Sequence, residues 1–162
     1  MDGPSSLVCG GGASCAEAAG EAGIVTGDPQ RRRAEGGQDM KERLFLTSYF
    51  AETAPLFEKF VNPWIRDRKV LFIPTAGNTE EYRGYIEEGM QCFRAMGYEV
   101  HVMDAAETDE AEAVRRISGT GFLYVSGGNT FYLMQELRRK HLTELIRSRT
   151  EEGMVYAGES AG

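Results

Sequence analysis

A serine held between two glycines, in Gly158-Glu159-Ser160-Ala161-Gly162, carries the clearest chemical signal in the chain. The apolar run 154–157 comes directly before it and predicts a β-strand that leads into a sharp turn. Glycine is needed on both sides of such a turn, because a side chain there would clash with the neighbouring strand or helix. The turn would raise Ser160 above the end of the strand as a nucleophile. The amide of Ala161 would then face a developing oxyanion.

A second glycine-rich segment, Ser126-Gly127-Gly128-Asn129-Thr130, follows another apolar run. Gly127 and Gly128 would let a ligand approach the backbone closely, and their amides could form the other half of an oxyanion hole. Asn129 and Thr130 are the candidate substrate-binding residues. The alternative interpretation is a plain strand-to-helix turn in which one of these two residues caps the helix.

A serine hydroxyl becomes an effective nucleophile only when a base takes its proton. The chain contains two histidines, His101 within a predicted strand and His141 directly after the basic run 138–140. We expect a structural or surface role for both. Glu159 lies next to the serine, but we expect it to point away from the pocket side of the turn and not to act as the base.

Short apolar runs alternate with helical patterns from Met40 onward, which favours parallel strands joined by crossover helices. The predicted strands cover 43–48, 69–74, 98–103, 121–125 and 154–157. Predicted helices cover 53–61, 111–117, 130–140 and 141–150, the last of them either a continuation of its predecessor or a separate helix. One further helix is predicted to begin at Asn78, with Glu81 completing a capping box, and to end at Gly97. The fold class that follows is α/β, a three-layer αβα arrangement around a parallel sheet.

Residues 1–39 differ in character from the rest, because they lack aromatic residues and any steady apolar period. Such a composition buries too little surface to offset the entropy of ordering. We therefore predict a disordered or non-native extension over 1–39 and a folded catalytic-type domain over 40–162, with Met40 at its start.

The overall composition excludes several classes of protein. A net charge of -7 and an isoelectric point near 5.0 argue against nucleic-acid binding. No apolar run approaches the roughly 20 residues that a membrane span needs. Cys9, Cys15 and Cys92 form neither an even disulfide set nor a zinc pattern, so we expect no metal site and a cytoplasmic protein.

The two glycine-rich segments together resemble the peptidase E family, which includes aspartyl dipeptidases and cyanophycinases. The segments 44–48 (LFLTS) and 73–76 (IPTA) are also similar to that family. The resemblance spans 40–162. It implies the class I glutamine amidotransferase-like, flavodoxin-like fold, Ser160 as nucleophile, and an oxyanion hole built from the amides of Gly127 or Gly128 and of Ala161.

The same resemblance implies no metal or organic cofactor and a small peptide substrate, with short acidic peptides as the expected class. It also implies that the base, a histidine, and its acidic partner lie downstream of the serine. On that basis we expect 40–162 to be the N-terminal portion of a catalytic domain whose sheet is incomplete at the C-terminus. An incomplete sheet makes a homodimer possible.

Two other functions fit parts of the pattern. An α/β-hydrolase esterase shares the G-x-S-x-G turn, although such chains carry more strands before it and a different oxyanion loop. A non-catalytic amidotransferase-like binding module could use the same glycine loops to hold an anionic ligand.

Overall fold

The computed structural model describes residues 42–162, which form a five-stranded sheet with helices on both faces. The strands are β1 (Arg43–Thr47), β2 (Lys69–Ile73), β3 (Glu99–Val102), β4 (Phe122–Val125) and β5 (Val155–Glu159). The α-helices are α1 (Phe50–Val61), α2 (Gly84–Ala95), α3 (Glu110–Gly119), α4 (Thr130–Arg139) and α5 (Leu142–Glu151). A short 3₁₀ helix, Thr75–Thr79, follows β2. The predicted extension at 1–39 lies outside the described residues, so that domain boundary stays a prediction.

All strand pairs are parallel, and the strand order is β1-β5-β4-β2-β3. The central strand β4 is buried along its whole length, as expected for a sheet covered on both faces. The α/β prediction with a parallel sheet is confirmed, and the arrangement is consistent with the flavodoxin-like type.

Two separate cores give the molecule its three layers. On one face, aromatic side chains of α1 and α2 pack against the sheet, and Phe50 stacks on Phe93 with ring centroids 4.5 Å apart. On the other face, aliphatic side chains of α3, α4 and α5 pack against β2 and β4. The sheet therefore separates an aromatic core from an aliphatic one.

Most predicted elements are present, with shifted ends. Helix α1 begins three residues earlier than predicted, at Phe50, so that Pro55 falls inside it. The segments 130–140 and 141–150 form two helices, because His141 between them adopts a left-handed backbone conformation with φ of 54°.

The prediction that Asn78 caps α2 was wrong. Helix α2 begins at Gly84, and Asn78 lies in the 3₁₀ helix that follows β2. The side-chain amide of Asn78 (Nδ2) instead donates to Asp104 Oδ2 at 2.7 Å, while Thr75 Oγ1 donates to Asp104 Oδ1 at 2.9 Å. The Asn78 side chain is therefore engaged by the loop after β3, away from the start of α2.

Among residues 42–162, no helix has both the length and the apolar character needed to cross a membrane.

A buried lysine ties α4 to the loop between β3 and α3. Lys140 is 7% exposed, and its Nζ donates to the carbonyl oxygens of Ala105, Ala106 and Thr108, at 2.5 Å and 3.0 Å for the first two. A lysine head group serves this purpose because it brings three donors to three backbone acceptors.

We predict that Lys140→Met lowers the free energy of unfolding by about 1–3 kcal/mol, because it leaves carbonyl groups without their donor. Urea denaturation followed by circular dichroism measures the change. Lys59→Met is the matched control, since Lys59 is exposed on α1 and should change stability by less than about 0.5 kcal/mol. Equal effects of the two substitutions would contradict the assigned role.

Candidate active site

The backbone at Ser160 is left-handed. Its φ is 52°, one of two positive values among the described non-glycine residues, and its side chain is exposed. The Ser160 amide donates to Thr47 O at 2.8 Å, which fixes the turn against the end of β1. A left-handed non-glycine residue costs of order 1–3 kcal/mol and is concentrated at functional sites. This geometry matches the strained turn that the sequence predicts.

The two flanking glycines are required by close packing. A Cβ on Gly158 would lie 2.5 Å from Gly162 O, and a Cβ on Gly162 would lie 2.2 Å from Val125 O. The Gly162 amide also donates to Glu159 O at 2.9 Å and closes the turn. Larger residues at either position would collide with backbone atoms, so the G-x-S-x-G spacing follows directly from the fold.

The loop after β4 lies against the serine. A Cβ placed on Gly127 would be 3.3 Å from Ser160 Cβ, and Gly128 has a φ of 133°. A Cβ on Gly128 would lie 2.3 Å from Ala76 O, and the next amide, that of Asn129, donates to the same oxygen at 2.7 Å. The structure thus brings the two predicted segments together at the carboxyl ends of β4 and β5, where ligands bind in open α/β sheets.

The backbone amides at this junction differ in their partners. The Gly127 amide points toward Glu159 Oε2 at 3.5 Å. No acceptor within residues 42–162 pairs with the amides of Gly128 and Ala161. These two amides therefore have no hydrogen-bond partner among the described residues, while the role of all three in an oxyanion hole stays a prediction.

The Glu159 side chain turns inward, away from the exposed Ser160. It is 3% exposed, its Oε1 accepts from the Phe50 amide at 2.8 Å, and its Oε2 accepts from the Tyr124 hydroxyl at 2.9 Å. Burial, and then the Glu159 carboxylate, raise the pKa of Tyr124, so the phenol stays a neutral donor. The inward orientation agrees with the sequence interpretation. These two contacts were not foreseen, although a glutamate directly after an apolar strand was a visible signal.

Tyr85, on α2, lies beside the glycine loop that faces Ser160, and the sequence reasoning missed it. Its Cε2 lies 3.7 Å from the Cβ position on Gly127, and its hydroxyl is closed to solvent without a hydrogen-bond partner among the described residues. Burial raises the pKa of this tyrosine. In the sequence it belongs to an apolar helical stripe, which gave no signal of a site.

Asn129 has an observed structural function. Its Oδ1 accepts from the Tyr132 amide at 3.0 Å, so it is the cap of α4, as one of the two sequence interpretations proposed. Thr130 follows as the first residue of α4 and is exposed. Substrate contact by either residue stays a prediction.

His101 lies far from Ser160 in the sheet. His101 is on β3, and its Nε2 is 3.1 Å from Glu99 Oε1. Two strands separate β3 from β5, which corresponds to about 14 Å at the usual strand spacing. The strand register also aligns His101 across the sheet with Tyr156, which comes four residues before Ser160. His141 is exposed at the start of α5.

We predict that Gly128→Ala destabilises the fold by about 2 kcal/mol more than Gly97→Ala. Both glycines have a positive φ, but the space around a Cβ on Gly97 is open, while a Cβ on Gly128 meets backbone. Thermal unfolding of the two variants separates the cost of the dihedral angle from the cost of the collision. Similar melting temperatures would show that the loop at Gly128 can move away from Ala76.

Comparison with known proteins identifies relatives of this chain. The model of peptidase family S51 matches residues 43–162. An uncharacterised peptidase of Listeria monocytogenes is 40% identical over 121 residues, and a peptidase E of Shewanella amazonensis is 34% identical over 117. These matches cover 75% and 72% of this chain and 58% and 46% of the relatives. The chain thus spans about half the length of the curated relatives it matches.

Solved structures agree with the sequence matches. A crystal structure from Listeria monocytogenes EGD-e, of a protein provisionally named a peptidase E, has a TM-score of 0.69 and 38% identity. It matches 75% of this chain and 59% of its own. The structure of a peptidase from an acI-B1 Actinobacterium has a TM-score of 0.56 and 25% identity, with coverages of 74% and 54%. The resemblance inferred from the two glycine-rich segments is confirmed: the chain belongs to peptidase family S51.

Proposed function

We propose that the chain carries the nucleophile and the oxyanion hole of a serine peptidase acting on short peptides. The observation that carries this proposal is the left-handed turn at Ser160, packed against the Gly127–Gly128 loop. The exposed hydroxyl of Ser160 and the two unengaged amides lie at one end of the sheet, which is the arrangement that acyl transfer requires. Membership of a peptidase family supports the same reaction class.

The proposed reaction forms an acyl-enzyme. Ser160 Oγ attacks the carbonyl carbon of the scissile peptide bond as its proton passes to a base, and the carbonyl oxygen becomes an oxyanion. The amides of Gly128 and Ala161 donate to that oxyanion. The tetrahedral intermediate expels the amine, which takes up the proton from the base, and leaves an ester on Ser160. Water then hydrolyses the ester by the reverse sequence of proton transfers.

The base is the part of this reaction that residues 42–162 do not supply. His101 is remote from Ser160, and Glu159 is engaged below the turn. We propose that a histidine of another polypeptide segment takes the proton of Ser160, in keeping with the downstream histidine that the family resemblance implies. The proposed substrates are short acidic peptides. A homodimer and a cytoplasmic location are also proposed, on the basis of the sequence.

The distance between Ser160 and His101 favours a second candidate function. A binding module would use the Gly128 and Ala161 amides to hold a carboxylate without cleaving a bond. The third interpretation, an α/β-hydrolase esterase, is disfavoured because the chain matches the S51 family over 43–162.

Labelling with a fluorophosphonate tests whether Ser160 is a reactive nucleophile. We expect an adduct on Ser160, found by peptide mapping and absent from Ser160→Ala. The rate should fall below that of a complete serine hydrolase by a factor of about 10²–10⁴, the usual contribution of a general base. Ser148→Ala is the matched control, because Ser148 is exposed on α5 and should not affect labelling.

The distribution of label decides between the two functions. Label spread over several serines at similar rates, or an unlabelled Ser160, would contradict an activated nucleophile and favour the binding module. Where Ser160 is labelled, hydrolysis of Asp-X dipeptides compared with p-nitrophenyl esters identifies the bond that is cleaved.

A further inference from the structure

A cavity of about 380 Å³ lies at the opposite edge of the sheet from Ser160. Its walls come from the loop between α1 and β2, the first residues of β2 and β4, and the last turn of α3. Because Ser160 follows the carboxyl end of β5, this amino-edge cavity is remote from the candidate active site. Its volume falls in the usual range of small-molecule sites, roughly 300–1,000 Å³.

The floor of the amino-edge cavity is apolar, and its rim carries an aromatic ring. Val70, Leu71 and Phe122 line it and are themselves buried. Trp64, from the loop after α1, is 49% exposed and also lines it. A large aromatic side chain half open to solvent beside an apolar floor is a surface on which a planar ligand ring can stack.

The rest of the rim is basic, although the protein carries a net charge of -7. The lining side chains include Arg66, Lys69, His101, Arg115 and Arg116, against the single carboxylate of Asp67. Ion pairs engage Lys69 with Asp67 and Arg115 with Glu112, and His101 Nε2 lies 3.1 Å from Glu99 Oε1. The local reversal of charge favours an anionic ligand.

Two arginines of the rim have no carboxylate partner among residues 42–162. Arg116 donates to Val102 O at 2.9 Å, and Arg66 enters no ion pair there. Arg116 belongs to the last turn of α3, where a cation also offsets the negative end of the helix. Arg66 lies outside every helix, so this explanation does not apply to it.

We propose that the amino-edge cavity binds a small aromatic anion, with its ring against Trp64 and its phosphate or carboxylate on Arg66 and Arg116. A guanidinium group donates two parallel hydrogen bonds to either anion, which gives both charge and orientation. The guanidinium of Arg43 lies over one face of the Trp64 ring, 4.3 Å from its centroid, so the ligand ring would stack on the opposite face. This site is independent of the chemistry at Ser160.

Trp64 is the only tryptophan in the chain, so its fluorescence reports directly on this cavity. Phenyl phosphate is the probe, with inorganic phosphate as the control without a ring and benzyl alcohol as the control without a charge. We expect a saturable change in emission with phenyl phosphate, at least tenfold weaker binding of inorganic phosphate, and no saturable response to benzyl alcohol.

Two substitutions test the site from different sides. Arg66→Gln removes a cation and should raise the dissociation constant about tenfold, equivalent to the loss of one charge-assisted hydrogen bond. Gly119→Leu fills the cavity from the end of α3, where the position of an added Cβ has no atom within 4 Å, and should abolish binding without unfolding the protein. Arg147→Gln is the control, since Arg147 is exposed on α5 and does not line the cavity.

A linear, non-saturating response to phenyl phosphate would overturn the proposal. So would binding that Arg66→Gln and Gly119→Leu leave unchanged while both variants keep the wild-type circular dichroism spectrum. Equal affinity for phenyl phosphate and inorganic phosphate would show a basic patch without an aromatic subsite, and would equally overturn it.

Discussion

One buried carboxylate holds the candidate site together. Glu159 sits between the strained Ser160 and the crowded Gly158, and it accepts hydrogen bonds from the first amide of α1 and from the hydroxyl of Tyr124 on β4. Its Oε2 also faces the Gly127 amide. Removing either strong donor would leave an under-satisfied buried charge, which is among the costlier defects in a protein interior. The start of α1, the glycine loop and the turn at Ser160 are therefore positioned by a common group.

Glu159 also determines which amide of the glycine loop is engaged. The Gly127 amide is directed at Glu159. The amide of Gly128 is therefore the donor of this loop that we propose for a ligand. The left-handed backbone at Ser160 turns its side chain to solvent while the glutamate before it points into the aromatic core. The turn after β5 thus separates two neighbouring side chains, one buried and one exposed.

The sequence was most informative where a local pattern decides the structure. Periodic apolar runs predicted the strands and most helices, and the crowding at Gly158 and Gly162 accounts for the spacing of the motif. The pattern failed at Asn78, because a capping signal has the same residues whether or not a distant carboxylate, here Asp104, engages the side chain. Tyr85 and the amino-edge cavity were invisible for the same reason: each depends on loops that only the folded sheet brings together. The residue patterns alone did not identify the family, which came from the resemblance of the two glycine-rich segments to peptidase E.

The position of β1 in the sheet has a kinetic consequence. Within the described residues β1 pairs only with β5, and the guanidinium of Arg43 donates to Gly153 O across 110 residues of chain. Closing so long a loop is entropically slow and gains no hydrogen bond until the far strand is in place. During synthesis, β2, β3 and β4 can assemble while β1 remains unpaired until β5 is available. Of the five described strands, β1 leaves the ribosome first and is among the last to join the sheet, so the nascent chain is most exposed to misassociation before β5 emerges.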